Sequence, residues 1–106
     1  MTQEALMEPY THITQMETIM VEHEKMLREL NRLLDTLDAR QADYQALLDY
    51  YDSDQRNQDL RDDENHLIPQ TLARGVLSED EVFDLTEDYR DTALRMMEVA
   101  LHMLKK

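Results

Sequence analysis

The scarcity of residues that turn a chain is the strongest constraint in this sequence. No glycine and no proline lie between Pro9 and Pro69, and Gly75 is the only glycine of the chain. Sandwiches, barrels and nucleotide-binding βαβ folds each need several tight turns, which depend on these two residue types. Because helices need few turns, the sequence predicts an all-α protein.

A heptad repeat runs through the first half of the chain. Its a and d positions, which alternate in steps of three and four, are Ile13, Met16, Met20, His23, Leu27, Leu30, Leu34, Leu37, Gln41, Tyr44, Leu48 and Tyr51. The neighbouring g column is also apolar, except where Arg40 interrupts it, and holds Ile19, Met26, Leu33 and Leu47. This width favours a helix bundle over a two-stranded seam. The pattern predicts a long helix over about 11–51, and the polar residues at 35–43 leave a kink or turn there as an alternative.

The rest of the chain is predicted to form a connecting segment over 52–77 and a C-terminal helix over about 78–104. Residues 52–66 contain a single apolar residue, Leu60, which indicates a loop or a marginal surface helix. The long helix would measure about 60 Å and the C-terminal helix about 40 Å. We therefore expect one all-α domain over 1–106 with the two helices antiparallel. Either the connecting segment or a second copy must cover the surplus of the long helix, and we expect a helical-bundle homodimer.

The junction before the C-terminal helix carries the clearest local motif. Pro69 can begin a short helical turn, and Gly75 is placed to end it as a C′ residue in the left-handed conformation. Ser78 and Glu81 have the spacing of a capping box. Together with Arg74, these residues are assigned a structural role at the chain reversal.

Charge and composition argue against several classes of partner, of chemical site and of cellular location. The chain has 24 acidic against 11 basic residues and a formal net charge of −13, which disfavours nucleic acid and anionic membranes as partners. It has no cysteine, so disulfides, thiol nucleophiles and cysteine-bound zinc are excluded. The first ten residues lack the pattern of a signal peptide, and no apolar run reaches the length of a membrane span. We expect a cytoplasmic protein without a cofactor.

One group of carboxylates is a candidate for metal chemistry. Asp80, Asp84, Glu87 and Asp91 recur at intervals that align them on one side of the C-terminal helix. Paired acidic helices hold magnesium in all-α nucleotide pyrophosphatases, so a magnesium-dependent nucleotide phosphohydrolase is the alternative function. The long helix offers no matching acidic cluster, and negative charge near a helix N-terminus is favourable by itself. We therefore assign no catalytic or metal-binding residue and lean against an enzyme.

Three segments carry a resemblance to a known family. They are Tyr50-Tyr51-Asp52-Ser53, Asp63-Glu64-Asn65-His66-Leu67-Ile68-Pro69 and Leu72-Ala73-Arg74-Gly75-Val76-Leu77-Ser78-Glu79-Asp80. The chain resembles a family of short bacterial proteins, the domain-of-unknown-function family numbered forty-two ninety-eight. The resemblance covers about the whole chain and implies an all-helical cytoplasmic protein, without a known activity, cofactor or catalytic residue. The function we expect, a helical interaction or assembly module, rests instead on the surplus length of the long helix.

Overall fold

A computed structural model describes residues 2–105, without the side chain of Glu4, and every regular element in that range is helical. The α-helices are α1 (Gln3–Met7), α2 (Thr11–Ala39), α3 (Gln41–Tyr51), α4 (Asp54–Glu64) and α5 (Glu79–Leu104), and 3-10 turns cover Glu8–Tyr10 and Gly75–Leu77. The predicted all-α class is confirmed. The chain divides into two compact units, the first ending at Ala46 and the second beginning at Leu47. The single domain expected from the sequence stays a prediction.

Helix α2 dominates the first unit, and a single residue separates it from α3. Arg40 lies between the two helices with φ −96° and ψ 6°. Its N–H still donates to the carbonyl of Thr36 at 3.1 Å, and its own carbonyl accepts from the N–H of Tyr44 at 3.1 Å. The helix predicted over 11–51 is thus interrupted at one position within the polar stretch 35–43.

Helix α4 occupies a segment for which the sequence predicted either a loop or a marginal surface helix. Ser53 caps its N-terminus, because the serine Oγ accepts from the N–H of Arg56 at 3.2 Å. At its C-terminus the N–H of Leu67 donates to the Asp62 carbonyl at 2.9 Å, and the N–H of His66 donates to the Asp63 carbonyl at 3.1 Å. These two bonds form a Schellman motif, which explains why a polar, weakly amphipathic stretch is helical.

The left-handed residue of this region is His66, with φ 57°, and not the glycine. The prediction that Gly75 adopts the left-handed conformation is therefore wrong, because Gly75 has no positive φ and begins a 3-10 turn. The helical turn expected after Pro69 is only a turn, closed by the N–H of Leu72 donating to the Pro69 carbonyl at 3.0 Å. Between α4 and α5 the chain then passes through this turn and the 3-10 turn at Gly75–Leu77, neither of which contains a residue with positive φ.

The second unit has a very small apolar core. Among the described residues, Val82 is the only buried apolar residue, at 6% exposure. Half-buried apolar residues of the same unit are Leu47, Leu48, Leu60, Ile68 and Leu77. So little buried apolar surface means that polar contacts must supply much of the tertiary structure of this unit. The antiparallel pairing of the long and C-terminal helices, and the homodimer, stay predictions.

Candidate functional site

A polar cluster joins α3, α4 and the segment before α5 within the second unit. Its members are Tyr50, Tyr51, Arg56, Asp59, Asp63 and Arg74. They come from parts of the chain that are separated by up to about twenty residues, and their contacts hold these parts together. The cluster contains residues from all three of the segments that carry the family resemblance.

Arg56 is the centre of this cluster and is only 8% exposed. Its Nε donates to the carbonyl of Val76 at 3.2 Å, and its Nη2 donates to the carbonyl of Leu77 at 3.4 Å. The guanidinium also lies over the ring of Tyr51, 4.3 Å from the centroid. A buried arginine is tolerated here because carbonyl dipoles and an aromatic face replace its water. Arg56 therefore fixes the 3-10 turn against α4.

A second contact links the end of α3 to α4. The hydroxyl of Tyr50 donates to a carboxylate oxygen of Asp59 at 2.6 Å, and Gln55 donates to the other oxygen at 2.9 Å. These two bonds stabilise the charged carboxylate, so the pKa of Asp59 is lowered from its usual value. The bond to Asp59, followed by partial burial, raises the pKa of Tyr50. Across ordinary pH this pair is a neutral phenol that donates to a charged carboxylate.

The third contact is an ion pair between Arg74 and Asp63, both about one-third exposed on their side chains. Asp63 is in the last turn of α4, and Arg74 directly precedes the Gly75–Leu77 turn. The structural role assigned to Arg74 from the sequence thus corresponds to a specific partner. Because the pair is partly exposed, we expect it to contribute at most about 1 kcal/mol.

The predicted capping residues lie at the start of α5. The Oγ of Ser78 accepts from the N–H of Glu81 at 3.3 Å, as an N-cap does. The reciprocal bond of the predicted capping box does not form, because the N–H of Ser78 donates to the carbonyl of Gly75 at 2.9 Å. A Cβ on Gly75 would meet the carboxylate of Glu81. This carboxylate is the flexible end of an exposed side chain. The glycine therefore leaves room for it, but Glu81 could also move away from a larger residue at position 75.

An open groove of about 310 Å³ borders the polar cluster. It is lined by apolar residues of 67–77 and by polar side chains that include Tyr50, Asp59 and Asp62. Asp62 accepts from Gln58 at 2.9 Å, and Tyr50 and Asp59 bind each other. The polar groups at this groove therefore already make hydrogen bonds within the unit.

The acidic face of α5 is present as a row of exposed carboxylates on one helix. It consists of Asp80, Asp84, Glu87 and Asp91. Among residues 2–105, no three histidine or acidic side chains lie close enough together to hold a metal ion. The magnesium phosphohydrolase alternative thus rests on the sequence pattern alone.

An exposed apolar face runs along α2 and is here called the α2 stripe. It consists of Ile13, Met16, Ile19, Met20, His23, Met26, Leu27, Leu30, Leu33, Leu34 and Leu37. None of the 29 residues of α2 is buried. The apolar members of the stripe are exposed by between 37%, at Leu34 and Leu37, and 57%, at Met16. A continuous apolar surface of this length is typical of a protein interaction site.

Sequence reasoning located the α2 stripe and the capping residues but gave Arg56 no role. Arg56 stands in a strongly polar stretch and looks like a surface residue by composition. The one local signal is Tyr51, which lies five residues earlier and offers an aromatic face. Its two carbonyl acceptors lie twenty and twenty-one residues later, so no local pattern indicates them.

The chain belongs to the family described as a domain of unknown function, DUF4298, whose model matches residues 13–99. This match confirms the family predicted from the sequence, and it includes the α2 stripe and the polar cluster. The chain matches no curated protein and no solved structure. Every helix within residues 2–105 is too short or too polar to cross a bilayer.

Proposed function

We propose that this protein is a helical assembly module that self-associates through the α2 stripe. The observation that carries the proposal is that α2 buries none of its residues, although it has an apolar face along its whole length. The expected cytoplasmic location and the absence of a catalytic role belong to the same proposal.

The physics of isolated helices supports a partner for α2. A helix of 29 residues is about 43 Å long, and helices in proteins obtain most of their stability from packing an amphipathic face. In the first unit every residue with a described side chain is exposed, except Tyr44, which is half-buried. That unit therefore lacks a core of its own, and a second helix packed on the stripe would supply one.

The charge of the chain narrows the class of partner. A net charge of −13 repels phosphate backbones and anionic lipid headgroups, whereas an apolar helix face attracts another apolar helix face. Self-association must also overcome repulsion between two acidic chains. We therefore expect the dimer to become tighter as monovalent salt screens this repulsion.

Static light scattering at micromolar concentration tests the proposal with two matched variants. Leu30 lies in the stripe and is 41% exposed, and Val21 lies on the opposite side of α2 and is 36% exposed. In an isolated chain, Leu30→Asp and Val21→Asp should have similar effects because both sites are comparably exposed. In a dimer, only Leu30→Asp places a charge in the interface, where it cannot be hydrated.

The expected result is a mass of two 12.6 kDa chains for the native protein and for Val21→Asp, and a monomer or an unfolded chain for Leu30→Asp. Far-UV circular dichroism distinguishes a folded monomer from an unfolded chain. A native mass of 12.6 kDa that persists as the concentration rises would contradict self-association. Equal behaviour of the two variants would show that the stripe is not the interface.

A further inference from the structure

The two flanks of the α2 stripe differ in chemistry. On one flank the g positions are apolar, and Ile19, Met26 and Leu33 are exposed by 47%, 56% and 52%. On the other flank the e positions are occupied by three acidic residues and one amide, which are Glu17, Glu24, Asp38 and Asn31. A helix with one apolar flank and one acidic flank does not accept both orientations of a second copy equally.

We infer that two copies of this chain pair their α2 helices antiparallel, an inference that rests on the proposed self-association. In a parallel pair, the g flank of one helix lies beside the e flank of the other, so Ile19 would face Glu24 of the second copy and Leu33 would face Asp38. In an antiparallel pair, a two-fold axis perpendicular to the helices brings each flank beside itself. The apolar flanks then cover each other, and the acidic flanks stay at the edge beside water.

The length of the stripe also selects a register. Its first and last core positions are Ile13 and Leu37, and both lie within α2. Complete overlap of two antiparallel stripes places Ile13 opposite Leu37 of the second copy, with the axis near residue 25. Met20 then lies opposite Leu30, and His23 lies opposite Leu27. In this register every core position of one stripe has a core position of the other stripe opposite it.

Disulfide trapping tests the orientation, because the natural chain has no cysteine and each introduced thiol is unique. Ile13→Cys and Leu37→Cys are prepared separately, mixed in denaturant, refolded together and oxidised. In the antiparallel register, the mixture forms a cross-linked dimer and neither variant forms one alone. Identical residues 13 of two antiparallel chains would be about 36 Å apart, far beyond the reach of a disulfide.

The matched control uses Val21→Cys mixed with Glu29→Cys. These residues lie at the same level along the antiparallel pair but on the outer faces, so this mixture should stay uncross-linked. Light scattering on each reduced variant shows that the dimer survives the substitutions.

Each other outcome overturns a defined part of the reasoning. A cross-link formed by Ile13→Cys alone would show a parallel pair and overturn the orientation, while leaving self-association intact. Cross-linking of Ile13→Cys with Leu30→Cys in place of Leu37→Cys would overturn the register. A dimer that no stripe mixture cross-links would overturn the inferred pairing. A monomeric mass of the native chain would instead refute the proposed function.

Discussion

Replacing Arg56 with alanine should destabilise the second unit by about 3 kcal/mol. The side chain donates two hydrogen bonds to carbonyl groups, at 3.2 Å and 3.4 Å. A hydrogen bond from a charged donor contributes about 1.5–3 kcal/mol. Because the two bonds of Arg56 are long, we expect about 1 kcal/mol from each. The contact with the Tyr51 ring at 4.3 Å adds about 1 kcal/mol, since the guanidinium is largely removed from water.

Urea denaturation followed by far-UV circular dichroism measures this change. Small proteins lose about 1–3 kcal/mol of stability per molar urea, so the midpoint should fall by about 1–3 M. Arg61→Ala is the matched control, because Arg61 lies on the same helix, is exposed and donates to Gln58 on the helix surface at 2.9 Å. We expect this control to change stability by less than about 0.5 kcal/mol.

Coincident midpoints for Arg56→Ala and Arg61→Ala would refute the central role of Arg56. If Arg56→Ala does not fold at all, Arg56→Lys keeps the test decisive. Lysine retains the charge and an aliphatic stem but cannot present a planar fork to two carbonyls. Its stability should therefore lie below that of the native chain and above that of the alanine variant. A lysine variant as stable as the native chain would show that charge alone is sufficient.

The remaining predictions concern single contacts of the second unit. The stability advantage of the native chain over Tyr50→Phe should be constant between about pH 5 and 9. It should shrink as the pH falls below 3.8, the usual pKa of an aspartate, because folding lowers the pKa of Asp59. It should also shrink as the pH rises above 10.0, the usual pKa of a tyrosine, because folding raises the pKa of Tyr50. Denaturation at a series of pH values measures this. In thermal melts, His66→Gly should stabilise by about 0.5–1 kcal/mol because glycine adopts φ 57° readily, and His66→Val should destabilise. Ser78→Ala should cost about 0.5–2 kcal/mol through loss of the N-cap. Gly75→Ala should cost less than about 1 kcal/mol, and a larger loss would show that the carboxylate it meets cannot move.

The helical content of this protein was predictable because helix formation is local. The α2 stripe follows from a spacing of apolar residues that holds over consecutive turns, and no glycine or proline interrupts it. The position of the interruption was predicted only as a range, since the polar residues at 35–43 weaken the helix at several places. The structure puts it at Arg40.

The left-handed residue of the segment between α4 and α5 was predicted at the wrong position. Sequence reasoning gave the left-handed position to Gly75 because glycine adopts it at least cost. The structure gives it to His66, where two backbone hydrogen bonds to Asp62 and Asp63 close the end of α4 and offset the steric cost. A preference for glycine is a local tendency, and satisfied backbone groups at a helix end can outweigh it.

The sequence by itself determined that the chain is helical, that α2 has a continuous apolar face, and that Ser78 begins the last helix. Each of these depends on hydrogen bonds or spacings within about four residues. Only the tertiary structure decided that Arg56 binds the carbonyls of Val76 and Leu77 and that Arg74 pairs with Asp63. Those contacts depend on the path of the whole intervening chain, because a charged side chain is stable in a small core only where folded backbone and aromatic groups replace its water.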